Sequence, residues 1–145
     1  MLERIKALVK ENGICVLATV SDETPHCSLM AYVADDDCLE IYMVTKRHSR
    51  KYENLTRNPN VSLLIDTREE HQGSRLLETK ALSVSGTSQK MVDENKRIHV
   101  RSRLLERHPH VKELLDHPDA EILCIKVNSF LLLNGLTDAY YQAIE

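Results

Sequence analysis

The sequence predicts a small, mainly β domain in which six antiparallel strands form a barrel and helices lie at its periphery. Six apolar or alternating runs of strand length follow one another along the chain. Short polar turns join the first three runs, and such turns are typical of antiparallel neighbours. Aromatic residues make up only 4% of the chain, so few are available for cross-strand pairs. Closing the sheet into a barrel removes the edges that an open sheet would expose.

The individual elements follow from apolar periodicity and from turn residues. The six strands are predicted at residues 14–20, 26–34, 38–45, 61–66, 80–87 and 121–133. Helices are predicted at residues 2–11, 48–58, 89–107 and 109–115. Asn12-Gly13 and Asn58-Pro59 are signals that end the first two helices. Residues 68–79 are polar and charged, and this composition predicts a long exposed loop.

Length and composition indicate one globular domain that spans residues 1–145. A chain of 145 residues with 42% hydrophobic and 28% charged residues can bury a core without disulfides or metal. Its net charge of −3 gives no overall attraction to nucleic acid or to an anionic membrane. No window has the apolar length of a membrane span, and the first residues do not resemble a signal peptide. We therefore expect a cytoplasmic protein.

Cysteine, glycine and histidine patterns exclude several kinds of site. The four cysteines show no C-x-x-C spacing, which favours buried or half-buried thiols over a metal or redox site. The four glycines cannot form a G-x-G-x-x-G or Walker loop. Four histidines fall close together in sequence, but their spacing fits no metal pair, and we expect them to be solvated. These are His99, His108, His110 and His117.

The most informative segment is residues 45–59, where the third predicted strand leads into a helix. Four cations crowd this junction: Lys46, Arg47, Arg50 and Lys51. The amino end of a helix is already partly positive, so cations there become favourable when an anion binds beside them. Thr45 and Ser49 add hydroxyl groups that suit a phosphate. From spacing alone, a phosphate site and a solvated basic turn remain equally good interpretations.

The same segment resembles the pyridoxamine 5′-phosphate oxidase-like flavoproteins, the FMN-binding split β-barrels. In that family a strand ends in Thr, a Ser-Arg-Lys follows, and a helix closes with Asn-Pro before the next strand. The corresponding residues here are Val44-Thr45, Ser49-Arg50-Lys51 and Asn58-Pro59. The resemblance covers residues 14–66 and extends to 82–89, whereas residues 90–145 agree mainly in layout. It implies a six-stranded antiparallel split β-barrel of Greek-key topology.

The resemblance also implies FMN as the cofactor and a set of residues that bind it. Arg50 and Lys51 would bind the phosphate, and the hydroxyls of Thr45 and Ser49 would donate hydrogen bonds to it. Three consecutive residues of the second strand would offer backbone groups to the flavin ring, and one residue of the third strand would lie beside the ring. The implied cofactor-binding residues are Ser28, Leu29, Met30, Val44, Thr45, Ser49, Arg50 and Lys51.

Several positions depart from the pyridoxamine phosphate oxidases proper. Ser28 stands where those enzymes carry an Arg, and Val33 stands near the position of a cofactor-binding Lys. Ala81 falls where they carry a Gln on the fifth strand. The Arg and His motif that binds their substrate near the carboxyl end is missing from residues 139–145. We therefore do not predict oxidation of vitamin B6.

The resemblance predicts an FMN-dependent oxidoreductase that acts on a small molecule, with NAD(P)H as a candidate electron donor. Such proteins are typically homodimers with the flavin between protomers, so the resemblance implies a homodimer here. We assign no catalytic residue and no metal ligand, because the flavin carries the hydride chemistry. The alternative is a non-catalytic protein that holds flavin, haem or a deazaflavin as a sensor or store.

A third possibility is a barrel that binds single-stranded nucleic acid through the basic cluster. Such sites stack bases on exposed aromatic side chains. The chain has one Phe, five Tyr and no Trp, and its net charge is negative. Neither nucleic acid nor a membrane is therefore an expected partner.

Overall fold

The computed structural model describes residues 1–67, 79–135 and 138–145. The loop predicted at residues 68–79 lies outside the described residues except for Thr79. The helices are α1 (Leu2–Glu11), α2 (Arg50–Arg57), α3 (Glu94–Arg107) and α4 (Lys112–Leu115), with a 3-10 turn at Pro109–Val111 before α4. The strands are β1 (Ile14–Ser21), β2 (Thr24–Ala31), β3 (Val33–Ala34), β4 (Glu40–Lys46), β5 (Asn60–Asp66), β6 (Lys80–Gln89), β7 (Ala120–Asn134) and β8 (Asp138–Ala143).

The strands form one antiparallel sheet that curves back towards its own beginning. Their order is β2-β1-β5-β6-β7-β4-β3, and β8 pairs with β7 outside this path. The two ends of the path, β2 and β3, are consecutive in the chain, so the sheet closes through a covalent link and leaves a split between β2 and β4. The predicted fold class, a mainly β split barrel with peripheral helices, is confirmed.

The predicted strand at 26–34 is broken at Tyr32, which corrects the expectation that the first three strands pair in sequence as simple antiparallel neighbours. The amide of Tyr32 donates to the Gly13 carbonyl at 2.8 Å, and its hydroxyl donates to the Val9 carbonyl at 2.7 Å. These bonds turn the chain towards α1, so β2 pairs with β1 whereas β3 pairs with β4. Only the short β3 segment therefore lies beside β4, whose other neighbour is β7.

The structure also contains β8, a strand that the sequence analysis does not predict. It forms a hairpin with β7 in which Leu131 lies opposite Tyr141. Alternation of apolar and polar residues is the usual signal for a half-buried strand. Most of β8 is exposed, and its sequence Asp-Ala-Tyr-Tyr-Gln-Ala lacks that signal.

Two hydrophobic cores hold the barrel and its helices together. The larger core fills the barrel, and α1 and α2 cover its ends through Ile5, Val9 and Leu55. The second core lies outside the barrel wall, where Val44 of β4 packs with Leu104 of α3 and with neighbouring residues of α4. No helix in the described part of the chain has the length and apolar character that crossing a membrane requires.

Three of the four cysteines are buried, as the sequence analysis predicts, and the fourth is exposed. Cys15, Cys38 and Cys124 are buried, whereas Cys27 is exposed. Burial raises the pKa of the Cys15 thiol to about 12. Burial and a hydrogen bond to Glu40 raise the pKa of Cys124 to about 12. Only Cys27 is therefore open to solvent among the cysteines.

Gly86 permits a close approach of β6 to β7 at an irregularity in their pairing. A Cβ atom at this position would lie 2.6 Å from Cγ2 of Ile125 and 2.8 Å from the Lys126 carbonyl oxygen. We expect Gly86→Ala to lower the free energy of unfolding by about 1–3 kcal/mol, because the sheet must shift to admit the methyl group. Urea unfolding followed by circular dichroism measures this change.

Ser85→Ala is the matched control, because Ser85 is exposed and adjacent on the same strand. Its unfolding curve should coincide with that of the unchanged protein to within about 0.5 kcal/mol. Equal stabilities of the two variants would show that the sheet accommodates the added methyl group.

Candidate cofactor site

The start of α2 is built by a serine cap. Ser49 precedes the helix, and its Oγ accepts a hydrogen bond from the Tyr52 amide at 3.2 Å. The same Oγ lies 3.1 Å from Oγ1 of Thr45, which is 4% exposed at the end of β4. His48 has a φ of 72°, a left-handed conformation that lets the chain turn sharply from the strand into the helix. The predicted pair of hydroxyls is thus brought together.

Of the four cations predicted at this junction, Arg47 is engaged by the protein itself, whereas Lys46 is exposed and pairs with no carboxylate in the described ranges. Arg47 donates to the Pro118 carbonyl at 3.0 Å and lies 3.6 and 3.7 Å from carboxylate oxygens of Asp119 and Glu121. Its charge is therefore already balanced, and it ties the turn to the start of β7. Arg50 is exposed and Lys51 half-buried, and within the described ranges no carboxylate pairs with either. These two cations are therefore candidates for binding a ligand.

The backbone amides at the start of α2 also favour the binding of an anion. In the first turn of α2, the amides of Tyr52 and Glu53 are bonded to Ser49. Within the described residues, the amides of Arg50 and Lys51 have no acceptor. Unbonded amides and the partial positive charge of a helix start both attract anions. The residues at this end of β4 therefore fit a phosphate group.

The residues implied to lie near a ring also come together. Leu29, Met30 and Val44 line one cavity of about 270 Å³. The cavity lies between the end of β2, the outer side of β4 and the turn before α4. Its complete lining is Ile14, Leu29, Met30, Ala31, Val44, His110, Val111 and Leu114. An apolar wall of this kind suits a flat, largely apolar ring.

A wider groove of about 650 Å³ continues from this cavity across β1. Ile14 and Leu29 line both spaces, and Leu64 and Asp66 line the far side of the groove. Ser28 is half-buried, lies opposite Leu17 in the β1–β2 pairing and belongs to neither lining. The eight predicted residues thus lie in three places. Thr45, Ser49, Arg50 and Lys51 lie at the junction between β4 and the start of α2; Leu29, Met30 and Val44 line the cavity; and Ser28 lies apart from both.

A scan against family models matches residues 1–134 to the model described as pyridoxamine 5′-phosphate oxidase. The chain belongs to this family. The match covers the barrel, α2 and the turn that precedes it. No curated protein matches the sequence well enough to count as a relative.

Solved structures with the same fold have been described with different ligands. A haem-binding protein from Mycobacterium smegmatis is 16% identical with a TM-score of 0.85; the match covers 98% of this chain and 57% of that one. An FAD-binding protein from Mesorhizobium loti is 21% identical with a TM-score of 0.73, over 90% and 91% of the two chains. HutZ, the haem storage protein from Vibrio cholerae, is 20% identical with a TM-score of 0.74, over 92% and 93%. At these identities the likeness concerns the fold.

The histidines near α4 differ from the expectation of four solvated side chains. His108 is 6% exposed, and its Nε2 donates to the Tyr32 carbonyl at 2.9 Å. His110 lines the cavity formed by Leu29, Met30 and Val44, which is called the ring cavity below. The sequence analysis misses this position of His110. Pro109 signals a turn here, but only the folded chain brings that turn against β2 and β4. No group of three His, Cys, Asp or Glu side chains in the described ranges is arranged to hold a metal ion.

The outer face of the sheet carries a mainly apolar row, interrupted by Ser83, in this member of the family. Directly paired residues of neighbouring strands share a face. One such row crosses β2, β1, β5, β6, β7 and β8 in register: Leu29, Val16, Leu64, Ser83, Leu131 and Tyr141. Leu29 is 75% exposed and Tyr141 64% exposed. A solvated sheet face normally carries polar side chains, so this face is suited to burial against a second surface.

Proposed function

We propose that this protein binds FMN and acts as an oxidoreductase on a small molecule. The observation that carries the proposal is the pair Arg50 and Lys51 at the start of α2, beside the bonded hydroxyls of Thr45 and Ser49. A phosphate dianion suits this combination, because an Arg can bind two oxygens at once while a Lys supplies a compact charge. FMN has such a phosphate at one end and a flat ring at the other.

The ring cavity supports the flavin part of the proposal. Val44 lines the cavity and Thr45 follows it directly in β4, so the ring would lie on one side of this strand end and the phosphate would reach round to the start of α2. When bound, the flavin would supply the hydride chemistry. Residues of this chain would hold the phosphate, orient the ring and exclude water from its apolar side. None of them is assigned as a catalytic acid or base.

We propose further that the protein is a homodimer that buries the apolar sheet face. The row that contains Leu64 spans five inter-strand spacings of about 4.8 Å, or roughly 24 Å. A row of this length is on the scale of one side of a dimer interface, which buries about 800 Å² per partner. Ile14 and Leu29 belong both to this side of the sheet and to the ring cavity. A second copy packed here would border the cavity and help to enclose its ligand.

The second candidate function is non-catalytic binding or storage of flavin, haem or a deazaflavin. One observation favours haem within this group: His110 lies beside the apolar cavity. Imidazole nitrogen is a common axial ligand of haem iron. Two of the similar structures are also named for haem, although their low identity limits the comparison to the fold.

The spectrum of the purified protein distinguishes these candidates. We expect two visible flavin bands, release of a compound with the mass of FMN, and tighter binding of FMN than of riboflavin to the stripped protein. Loss of the bands on addition of NAD(P)H, followed by their return with an acceptor, would support turnover. A Soret band with the mass of haem would support the second candidate. If added FMN keeps its full fluorescence, the FMN proposal is wrong.

A further inference from the structure

We propose that His110 donates a hydrogen bond to the acceptor edge of the flavin ring and thereby favours reduced over oxidised FMN. The inference rests on the proposed function and names a residue that the family resemblance does not include. It assigns to the 3-10 turn before α4 a part in tuning the cofactor.

A buried contact fixes the turn that carries His110. The chain leaves α3 at Arg107, and His108 then anchors it by donating to the Tyr32 carbonyl at 2.9 Å. The amide of Val111 donates back to the His108 carbonyl at 3.0 Å and closes the turn. The ring of His110 packs edge-on against that of His108, with their centroids 5.7 Å apart and their planes at 84°. His110 is thus held at the cavity by its neighbours rather than by a long flexible loop.

His110 is the polar side chain of an otherwise apolar cavity. The other residues of the lining given above carry aliphatic or thioether side chains. In the described part of the chain, no hydrogen bond or ion pair engages the imidazole nitrogens of His110. Its N–H group is therefore free to bond a ligand that enters the cavity.

The charge distribution of the flavin ring determines what a hydrogen bond from His110 would do to the balance between oxidised and reduced FMN. One side of the ring carries carbonyl oxygens and nitrogens that accept hydrogen bonds, and reduction increases the negative charge on that side. Groups near these atoms tune the electronics of the cofactor. A donor placed against them binds the reduced ring more strongly than the oxidised ring, since hydrogen bonds to charged groups are the stronger ones.

A depression on the other side of the turn is the competing location for a ligand of His110. It is lined by Pro109, His110, Lys112, Glu113, Asp116 and His117. Asp116 there already pairs with Lys112 at 2.6 Å and with Arg101. The depression is rimmed by charged side chains and has no apolar wall for a ring. The cavity beside Val44 has that wall, so the ring belongs on that side.

The test compares His110→Ala with His99→Ala, an exposed histidine on α3, and with His110→Gln, which keeps an N–H donor. The readout is the flavin midpoint potential, measured by reductive titration of the FMN complex. We expect His110→Ala to reduce the preference for reduced over oxidised FMN about tenfold, which lowers the two-electron potential by about 30 mV. His110→Gln should recover much of this loss, and His99→Ala should leave the potential unchanged.

The outcomes separate this inference from the proposed function. The ratio of FMN to riboflavin affinity should stay the same in His110→Ala, since the phosphate site is untouched. Equal potentials in His110→Ala and His99→Ala would overturn the inference while leaving FMN binding in place. Failure of the unchanged protein to bind FMN would overturn both. Because His110 is exposed, thermal unfolding should confirm that all three variants fold.

Discussion

Replacing Arg50 and Lys51 together with alanine is expected to weaken FMN binding by about a hundredfold or more. Hydrogen bonds to charged groups contribute about 1.5–3 kcal/mol each, and every 1.4 kcal/mol is a tenfold change in affinity. Solvent screens both the exposed Arg50 and the half-buried Lys51, so the lower end of that range applies to each. Riboflavin lacks the phosphate, and its affinity should hardly change. Quenching of flavin fluorescence measures both affinities in the same buffer.

Arg57→Ala is the matched control for this double variant. Arg57 is an exposed cation in the last turn of the same helix, so its removal changes the net charge without touching the start of α2. We expect FMN and riboflavin to bind this control as they bind the unchanged protein. Added salt should also weaken FMN binding in the unchanged protein more than in the double variant. An equal loss of FMN and riboflavin affinity in the double variant would contradict a phosphate role for these residues.

The strand end, the serine cap and the clustered cations at the start of α2 could be predicted from the sequence because their determinants are local, and their role in binding a phosphate stays a prediction. The strand end, the serine cap, the cations and the terminating Asn58-Pro59 all lie within about one helix length of each other. Local capping and helix-stop signals decide such a segment with little help from the rest of the fold. The sequence does not show which cations are already paired. The structure shows that Arg47 pairs with Asp119 and Glu121, which lie in a distant part of the chain.

Four other features of the structure depend on contacts between segments that are distant in the chain. Sequence periodicity does not predict such contacts. The break at Tyr32 arises from hydrogen bonds to Val9 and Gly13, which lie about twenty residues earlier. The position of His110 depends on the path of α3 across the second core. Strand β8 forms against β7 without an alternating pattern of its own. The apolar face becomes visible only when strand register places its members side by side.

Leu64→Arg, a substitution in the apolar sheet face, is expected to convert the proposed dimer into a monomer. Leu64 lies inside the row, between Val16 of β1 and Ser83 of β6. Its side chain is 37% exposed in the single chain, so an Arg there can reach water without disturbing the barrel core. Inside a dimer interface the same charge would lose its solvent, a penalty of several kcal/mol per ion that Asp66, on the same face of β5, would offset only in part. Each interface would contain two such charges.

Light scattering coupled to size-exclusion chromatography measures the result directly. The unchanged protein should have twice the chain mass of 16.6 kDa, and Leu64→Arg should have the mass of one chain. Ile98→Arg is the control, because Ile98 is 59% exposed on α3, away from the sheet face, and should leave the dimer intact.

Affinity for FMN should fall together with dimerisation, even though Leu64 is remote from the phosphate residues. Leu29, at one end of the same row, lines the ring cavity, so separation of the protomers would open that cavity to water. Riboflavin binding should therefore fall in Leu64→Arg as well, in contrast to its behaviour in the Arg50 and Lys51 variant. A monomeric Leu64→Arg protein with unchanged affinity for both flavins would show that one chain alone encloses the ring. A dimer that persists in this variant would place the interface on another surface.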